Sequence, residues 1–309
     1  MLLLVAAVLP RLFWDAGPET APALQEAKID RIAIPAARSN VWKGVSGIAV
    51  EVADPEKAIK LVAPSVDYRA NQGSASRAPW LNSNGWQFVR QPQAQFVYDV
   101  KGAQAALAAA EAFSYGANAL IQSDAAGLKP LGQMLEFLRG VPANDMPPVA
   151  DIAFQDDGSF EAGEVMNLMT KGNLLFRIVK APDRASKLNV KLGTKEYPLK
   201  DAENPVVVAQ LVRSNLTDEK RSVRVYGSLV VVARLTGTGN RLRVQLLNYA
   251  GAERKVDGLR VRVLGKYAKG QLRAAGSPGE ELLEYTVEPD ATEFTLPELK
   301  SYAVIDLTK

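Results

Sequence analysis

Short apolar runs alternate with segments of helical periodicity from Arg11 to about residue 222. Each apolar run has the length of a β-strand, and amphipathic segments such as Pro18–Ala27 and Leu128–Leu138 follow several of them. A strand, a helix and a further strand in succession are typical of a parallel sheet covered by helices. Roughly eight such units predict an α/β fold with a (β/α)8-like barrel, irregular in places. The pattern also allows a partial barrel followed, near Met146, by a separate flavodoxin-like α/β module.

The pattern changes after Arg221, where β-forming residues and glycine-containing turns predominate. Leu259–Leu264 alternates apolar and charged residues with the period of a half-exposed strand. Thr236–Asn240 has the composition of a hairpin turn between two β-rich runs. We therefore expect residues 1–222 to form the barrel-like domain, with a sub-boundary near 146 left open, and residues 223–309 to form a C-terminal antiparallel β-sandwich.

Two residue types are absent from the chain, which contains no cysteine and no histidine. Their absence excludes disulfides, thiolate nucleophiles, Ser-His-Asp triads and metal sites built on Cys or His. Any chemistry must therefore use carboxylates, Lys, Tyr, Ser or backbone dipoles. We expect no metal ion and no cofactor.

The charges and the N-terminus limit the partners. The net charge is +3, and basic and acidic residues are interspersed, so we expect no nucleic acid partner. The apolar run Met1–Pro10 is shorter than the about 20 residues that span a bilayer, and no other stretch is apolar enough to do so. It fits either a trimmed secretion signal or a segment packed on the body. The first option predicts a secreted or periplasmic protein, and the second allows a cytoplasmic one.

Carboxylates recur where predicted strands end. Asp15, Asp67, Asp99 and Asp124 occupy such positions, and Glu51 lies near the end of a fifth strand. In a closed barrel these acids would meet at one rim, and glycoside hydrolysis needs two carboxyl groups there. Asp67 and Asp99 are the favoured pair because they flank a long polar and aromatic segment, residues 70–95, and the other three are reserves. Each acid alone could equally be a helix cap or a solvated charge.

All four tryptophans precede residue 87, and each lies at a predicted strand end or in a loop. Indole faces stack on the apolar faces of sugar rings, so this clustering favours a carbohydrate site in the N-terminal part. Each tryptophan alone could instead fill the core. The expected substrate-binding residues are Trp14, Trp42, Trp80, Trp86, Asn84 and Tyr98.

Several segments resemble those of a group of uncharacterised bacterial secreted proteins related to barrel glycoside hydrolases. In the N-terminal part these segments are Arg11–Glu19, Asn84–Trp86 and Ala110–Tyr115. Arg243–Tyr249, Gly258–Val263, Thr292–Thr295 and Tyr302–Leu307 resemble strands of the β-sandwich that ends many such chains. Residues 164–227 are similar to the amidotransferase-like module of some β-galactosidases, which here could not hydrolyse glutamine without Cys and His. The resemblance implies a carbohydrate partner but identifies no catalytic pair.

The sequence therefore favours a carbohydrate-active protein, a glycoside-hydrolase-like enzyme that uses paired carboxylates. The alternative is a non-catalytic carbohydrate-binding or cell-envelope structural protein with a degenerate glycosidase barrel. A third hypothesis is an assembly protein whose β-domain makes the contacts. The sequence does not decide whether the chain is an active enzyme, and it gives neither the sugar nor the oligomeric state.

Overall fold

The computed structural model describes residues 9–68, 79–277, 279 and 281–309. The chain forms two compact units. The first unit contains the described residues up to Val66 together with Gln91–Asp145. The second contains Asp67–Arg90 and Met146–Lys309. The N-terminal run considered as a secretion signal lies outside the described residues, apart from Leu9 and Pro10.

The regular elements have the following bounds. The strands are β1 (Arg11–Phe13), β2 (Arg31–Ile34), β3 (Ala49–Val52), β4 (Ile59–Leu61), β5 (Ser65–Asp67), β6 (Trp80–Asn82), β7 (Gln95–Val100), β8 (Asn118–Ser123), β9 (Ile152–Gln155), β10 (Phe176–Ile178), β11 (Leu188–Lys191), β12 (Val223–Tyr226), β13 (Val231–Gly237), β14 (Arg241–Asn248), β15 (Val256–Leu264), β16 (Lys269–Ala274), β17 (Leu283–Val287), β18 (Ala291–Leu299) and β19 (Tyr302–Thr308). The α-helices are α1 (Ala21–Glu26), α2 (Gly85–Arg90), α3 (Gln104–Tyr115), α4 (Ala125–Gly140), α5 (Phe160–Lys171), α6 (Leu199–Ala202) and α7 (Pro205–Leu216). Short 3-10 helices lie at Pro18–Thr20, Ala36–Arg38, Pro55–Lys57 and Ala252–Arg254.

The first unit contains a six-stranded parallel sheet with the order β3-β2-β1-β8-β7-β4. From β1, the chain order continues through β2 and β3 on one side, while the other side runs back from β8 through β7 to β4. This is the strand order of a ring in which the first and last strands pair, as they do in a barrel. No β3–β4 pairing occurs among the described residues, so a mixed α/β fold with a parallel sheet is confirmed, but a closed barrel is not.

The two faces of this sheet have different environments. Tyr98 is fully buried, and its hydroxyl donates a 2.7 Å hydrogen bond to Glu111 Oε2 on α3, so its face is covered by helix. Side chains alternate between faces along a strand, so Val97 and Asp99 lie on the opposite face. There, Val97 contributes to a small apolar cluster with Phe13 and Leu120. Asp99 therefore lies on the face that carries this cluster, at the level of Phe13.

The second unit begins with a three-stranded parallel sheet and ends with antiparallel sheets. The parallel sheet has the order β10-β9-β11, and α5 and α7 contribute to its apolar core. Two four-stranded antiparallel sheets follow, with the orders β12-β15-β18-β17 and β13-β14-β19-β16. Val261 and Phe294 of one sheet and Val244 and Ile305 of the other belong to one buried cluster, so the two sheets share a core.

The sequence pattern predicts one long helix over Glu161–Val179, and this prediction is wrong beyond Lys171, where α5 ends. Asn173 adopts φ 54°, a left-handed conformation that ends helices and that Asn tolerates better than most residues. Its side-chain amide donates to Val231 O at 3.1 Å, and its Oδ1 accepts from Ala233 N at 2.6 Å. The chain then enters β10 in place of a further helical turn.

Other sequence-based boundaries need smaller corrections. The predicted helix Asp54–Lys60 is one 3-10 turn followed by β4. The predicted loop 70–95 contains β6 and α2 in its described part. The β-rich run 222–235 is two strands, and β16 was not predicted. The hairpin around Thr236–Asn240 is confirmed, since β13 and β14 pair up to Gly237 and Leu242.

Close packing between α4 and the end of α1 leads to a stability prediction. A Cβ at Gly132 would lie 1.7 Å from Ala27 O, and this backbone oxygen cannot rotate away. We expect Gly132→Ala to lower the free energy of unfolding by about 3 kcal/mol. A Cβ at Gly140, in the same helix, meets no atom within 4 Å, so Gly140→Ala should raise stability by about 0.5 kcal/mol. Chemical denaturation of both variants tests the contrast, and equal midpoints would contradict it.

Candidate functional site

Three of the five candidate acids lie at the carboxyl end of the six-stranded sheet. Asp15 follows β1, Asp124 follows β8, and Asp99 is the penultimate residue of β7. These strands are neighbours in the order β1-β8-β7. Gln122 of β8 is in register with Phe13 on one side and Asp99 on the other, so the three strands end at a common level. In parallel α/β folds this edge is where ligands bind.

Asp99 and Asp15 present accessible carboxylates at this edge. Asp99 is exposed, and its side chain has no hydrogen bond or ion pair within the part of the chain that the structure describes. The Asp15 side chain is 69% exposed, and its Oδ1 lies 3.4 Å from Arg38 Nε. Arg38 ends the 3-10 turn after β2. Arg38 was not among the residues expected from the sequence, although its position just after a strand was a usable signal.

Asp124 is a helix cap in this structure. Its Oδ1 accepts hydrogen bonds of 3.0 Å from Gly127 N, in the first turn of α4, and from Gly102 N, in the loop after β7. An Asp at this position satisfies a backbone donor that the helix leaves unpaired. Asp124 therefore joins two loops at the carboxyl edge of the sheet.

Two substitutions separate capping from chemistry at Asp124. Asparagine is about as good an N-cap as aspartate, whereas alanine supplies no acceptor. We expect Asp124→Ala to lower the free energy of unfolding by about 1 kcal/mol and Asp124→Asn to leave it nearly unchanged. Thermal melts of both variants test this. A loss of catalytic activity in Asp124→Asn without a change in melting temperature would show that the carboxylate has a further role.

Glu51 is held elsewhere in the first unit. Its Oε1 forms an ion pair with Arg11 Nη1, and Arg11 Nη2 donates to Asn118 Oδ1. Arg11 and Asn118 are the first residues of β1 and β8, so this network lies toward the amino edge of the sheet. The backbone of Glu51 is in register with Ala33 and, through it, with Phe13 at the level of Asp99. Its carboxylate, however, is paired with Arg11, whereas that of Asp99 has no partner among the described residues.

Asp67 belongs to the second unit, whereas its proposed partner Asp99 belongs to the first. The Asp67 carboxylate is exposed, and its Oδ2 accepts a 3.0 Å hydrogen bond from Asn82 Nδ2. The structure does not place these two acids in one unit.

The tryptophans have different environments. Trp14 is partly exposed next to Asp15, and its Nε1 donates to Thr20 Oγ1 at 2.9 Å. Trp42 is 2% exposed, and its Nε1 donates to Ala16 O, so it packs in the interior of the first unit. Trp14 is thus the one of these two with an accessible indole surface.

The other predicted binding residues have structural contacts. In the second unit, Lys171 Nζ lies 3.5 Å from the Trp80 ring centroid, and the Arg90 guanidinium lies 5.9 Å from that of Trp86. Asn84 is fully buried in the second unit, as is Tyr98 in the first. These contacts are packing interactions, and the expected sugar-binding roles of these four residues remain predictions.

Asp156 and Asp157 follow β9 in the second unit and organise the turn before α5. Asp156 accepts two hydrogen bonds from Arg90, at 2.8 and 2.9 Å. Hydrogen bonds from the Ser159 side chain and backbone lower the pKa of Asp157. Since Ser159 itself caps α5 through Ala162 N, these two acids stabilise a helix start.

Metal and membrane sites are not found among the described residues. That part of the chain holds no cluster of three or more His, Cys, Asp or Glu side chains that could bind a metal ion. Within the same ranges, no helix is both long enough and apolar enough to cross a bilayer.

Comparison with solved structures finds a similar fold in a known enzyme. The chain is similar to α-L-fucosidase isoenzyme 2 from Paenibacillus thiaminolyticus, with a TM-score of 0.53 and 9% identity over 72% of this chain and 62% of the fucosidase. This chain therefore spans less than two thirds of that enzyme. An α-amylase from Geobacillus thermoleovorans (9% identity) and a GH30 endoxylanase from Clostridium papyrosolvens (10% identity) also match over 98% of this chain and 97% of theirs. Their TM-scores of 0.24 are too low to indicate a shared fold.

Sequence comparisons add no family. No protein-family model matches the chain. No curated protein matches it either. The similarity to the fucosidase therefore shows the fold alone.

Proposed function

We propose that this chain is a carbohydrate-active, glycoside-hydrolase-like protein. Its site would lie at the carboxyl edge of the six-stranded sheet, with Asp99 and Asp15 as the acid pair. The observation that carries the proposal is that these two exposed carboxylates end β7 and β1, with only β8 between them. This pair replaces Asp67 and Asp99 as the preferred assignment.

The strand spacing is compatible with hydrolysis. Neighbouring strands lie about 4.8 Å apart, so β1 and β7 are separated by roughly 10 Å across β8. Asp99 is level with Phe13, and Asp15 lies two residues further along the chain, which adds up to about 7 Å along the strand direction. Inverting glycosidases hold their carboxyl groups roughly 6.5–9.5 Å apart, which leaves room for a water molecule, while retaining enzymes hold them at roughly 5–5.5 Å. Side chains leaning toward each other across β8 would bring the pair into the longer range. We therefore propose inversion of the anomeric centre.

Trp14 supports a sugar-binding role for the same edge. Its hydrogen bond to Thr20 fixes the indole orientation next to Asp15, and the ring remains partly exposed. An aromatic platform beside a carboxylate is suited to a pyranose ring, because the apolar sugar face stacks while hydroxyls reach polar groups.

The broader architecture is part of this proposal. The ring-like strand order of the first unit supports a barrel derivative up to Asp145, and the three-stranded parallel sheet supports a separate α/β module from Met146 to about residue 222. The shared core of the two antiparallel sheets supports a sandwich domain for residues 223–309. We also propose export from the cytoplasm, on the basis of the apolar run at the N-terminus.

A non-catalytic carbohydrate-binding role is the second candidate. Asp124 is occupied by two backbone donors, and Glu51 is paired with Arg11. A protein that lost catalysis would retain the Trp14 platform and need no acid pair. The two functions differ in whether the bound carbohydrate is hydrolysed.

Turnover and binding can be measured on the same sample. The purified chain would be incubated with a panel of aryl glycosides and oligosaccharides, and product anomers would be followed by NMR. Hydrolysis with inversion supports the proposal. Oligosaccharide-dependent quenching of tryptophan fluorescence without product, lost in Trp14→Ala, would replace it with the binding role. The absence of both hydrolysis and fluorescence quenching would contradict both functions.

A further inference from the structure

A cavity of about 720 Å³ with charged and apolar side chains in its wall lies at the amino edge of the six-stranded sheet in the first unit. The first residues of four strands contribute to its wall: Arg11, Arg31, Ala49 and Asn118. Its size is within the range of small-molecule sites, about 300–1,000 Å³. Because Asp15 and Asp99 lie at the carboxyl edge, this cavity is separate from the proposed sugar site.

The charged groups around the cavity leave an excess of positive charge. Three arginines, Arg11, Arg31 and Arg139, face two carboxylates, Asp30 and Glu51. Arg11 pairs with Glu51, and Arg139 Nη2 lies 3.0 Å from Asp30 Oδ1. Both carboxylates are thus already neutralised.

Arg31 remains without a partner. Within the part of the chain that the structure describes, its guanidinium makes no hydrogen bond and no ion pair. In addition, Nε of Arg11, whose side chain lines the same cavity, is buried and has no acceptor among the described residues. A buried N–H without an acceptor is costly, and a guanidinium offers donors in a planar fork that fits carboxylate and phosphate oxygens.

We propose that this cavity is a binding site for a small anion that carries a carboxylate or phosphate group. Arg31 would bind the anionic group, and Arg11, whose side chain lines the same cavity, would add positive charge beside it. The remaining lining, which includes Leu9, Pro10 and Leu135, suits a ligand with some apolar surface. This proposal does not depend on the proposed glycosidase function.

Probes that differ in their charged group identify which anionic group the cavity binds. Titration calorimetry of the whole chain would compare inorganic phosphate, glucose 6-phosphate and glucuronate with neutral glucose. We expect the anions to bind and glucose to bind at least tenfold more weakly at this site. Tighter binding of glucose 6-phosphate than of inorganic phosphate would indicate a phosphate ester, whereas preference for glucuronate would indicate a carboxylate. Equal binding of glucose and both anionic sugars would overturn the proposal.

Variants locate the site. Arg31→Ala should weaken anion binding about tenfold or more, and Arg31→Lys should retain part of it. Arg184→Ala, which removes an exposed arginine of the second unit, should have no effect. Glu51→Gln should strengthen binding several-fold, because it removes the charge that competes for Arg11. Arg31 is exposed at a strand start, so its variants should melt like the wild type. Unchanged affinity in Arg31→Ala, or equal losses in Arg31→Ala and Arg184→Ala, would contradict the assignment.

Discussion

Replacing Asp151 with alanine is expected to lower the free energy of unfolding of the second unit by about 3–5 kcal/mol. The Asp151 side chain is 2% exposed and accepts from three donors. Ser222 N donates to Oδ2 at 2.8 Å, and Ser222 Oγ and Lys187 Nζ reach Oδ1 at 2.6 and 2.7 Å. Alanine would leave these donors without their acceptor, in a region largely closed to water.

Asparagine at this position should cost less, because it keeps the shape and one acceptor oxygen. Glu219→Ala, at an exposed carboxylate of the same unit, is the control and should change stability by less than about 0.5 kcal/mol. Urea denaturation followed by circular dichroism would measure all three variants. A loss below about 1 kcal/mol in Asp151→Ala would show that these bonds add little to stability.

The same cluster contains a serine, a lysine and an aspartate, the residue types of some nucleophilic sites. Here the Lys187 ammonium also bonds to Lys220 O at 2.8 Å and to Ser222 Oγ at 3.0 Å. These three contacts hold the Lys187 nitrogen between a carboxylate and two further oxygens. The cluster therefore joins the start of β9 to the segment that enters β12, and its role is structural.

The sequence predicted the parts of the fold that depend on local periodicity. The strand predicted at Gln95–Asp99 is observed and extends to Val100. This strand and the hairpin between β13 and β14 follow from β-forming residues and turn glycines, which act over a few residues. The end of α5 could not be predicted in this way. Asn173 ends the helix because its side chain bonds to β13, about sixty residues later in the chain, and periodicity contains no such information.

The candidate site was predicted only in part, because the sequence pattern shows strand ends but not contacts between distant parts of the chain. Strand ends are visible in the sequence, so Asp15, Asp99 and Asp124 were correctly located at the ends of strands. Their hydrogen-bond partners were not visible. Asp124 bonds to Gly102, and Glu51 bonds to an arginine forty positions earlier in the chain, and only the folded chain distinguishes these acids from Asp99.

The largest expected effect on activity follows from this distinction. If the chain hydrolyses glycosides, Asp99→Asn should lower kcat about 10²–10⁴-fold, because a general acid or base contributes that much to proton transfer. Asp15→Asn should have an effect of similar size. Asp99 is exposed and has no partner among the described residues, so Asp99→Asn should keep the melting temperature of the wild type.

Glu26→Gln is the matched control, since it removes an exposed carboxylate of the same unit from α1. It should leave kcat and KM unchanged. The pH profile of kcat/KM separates catalysis from positioning, because the loss of an acid or a base removes one limb of a bell-shaped curve, whereas a positioning effect lowers the whole curve. Unchanged kcat in both Asp99→Asn and Asp15→Asn, measured on a glycoside that the wild type cleaves, would rule out this pair as the catalytic acids. Asp124 and Glu51 would then be the next carboxylates to test, each against its structural role.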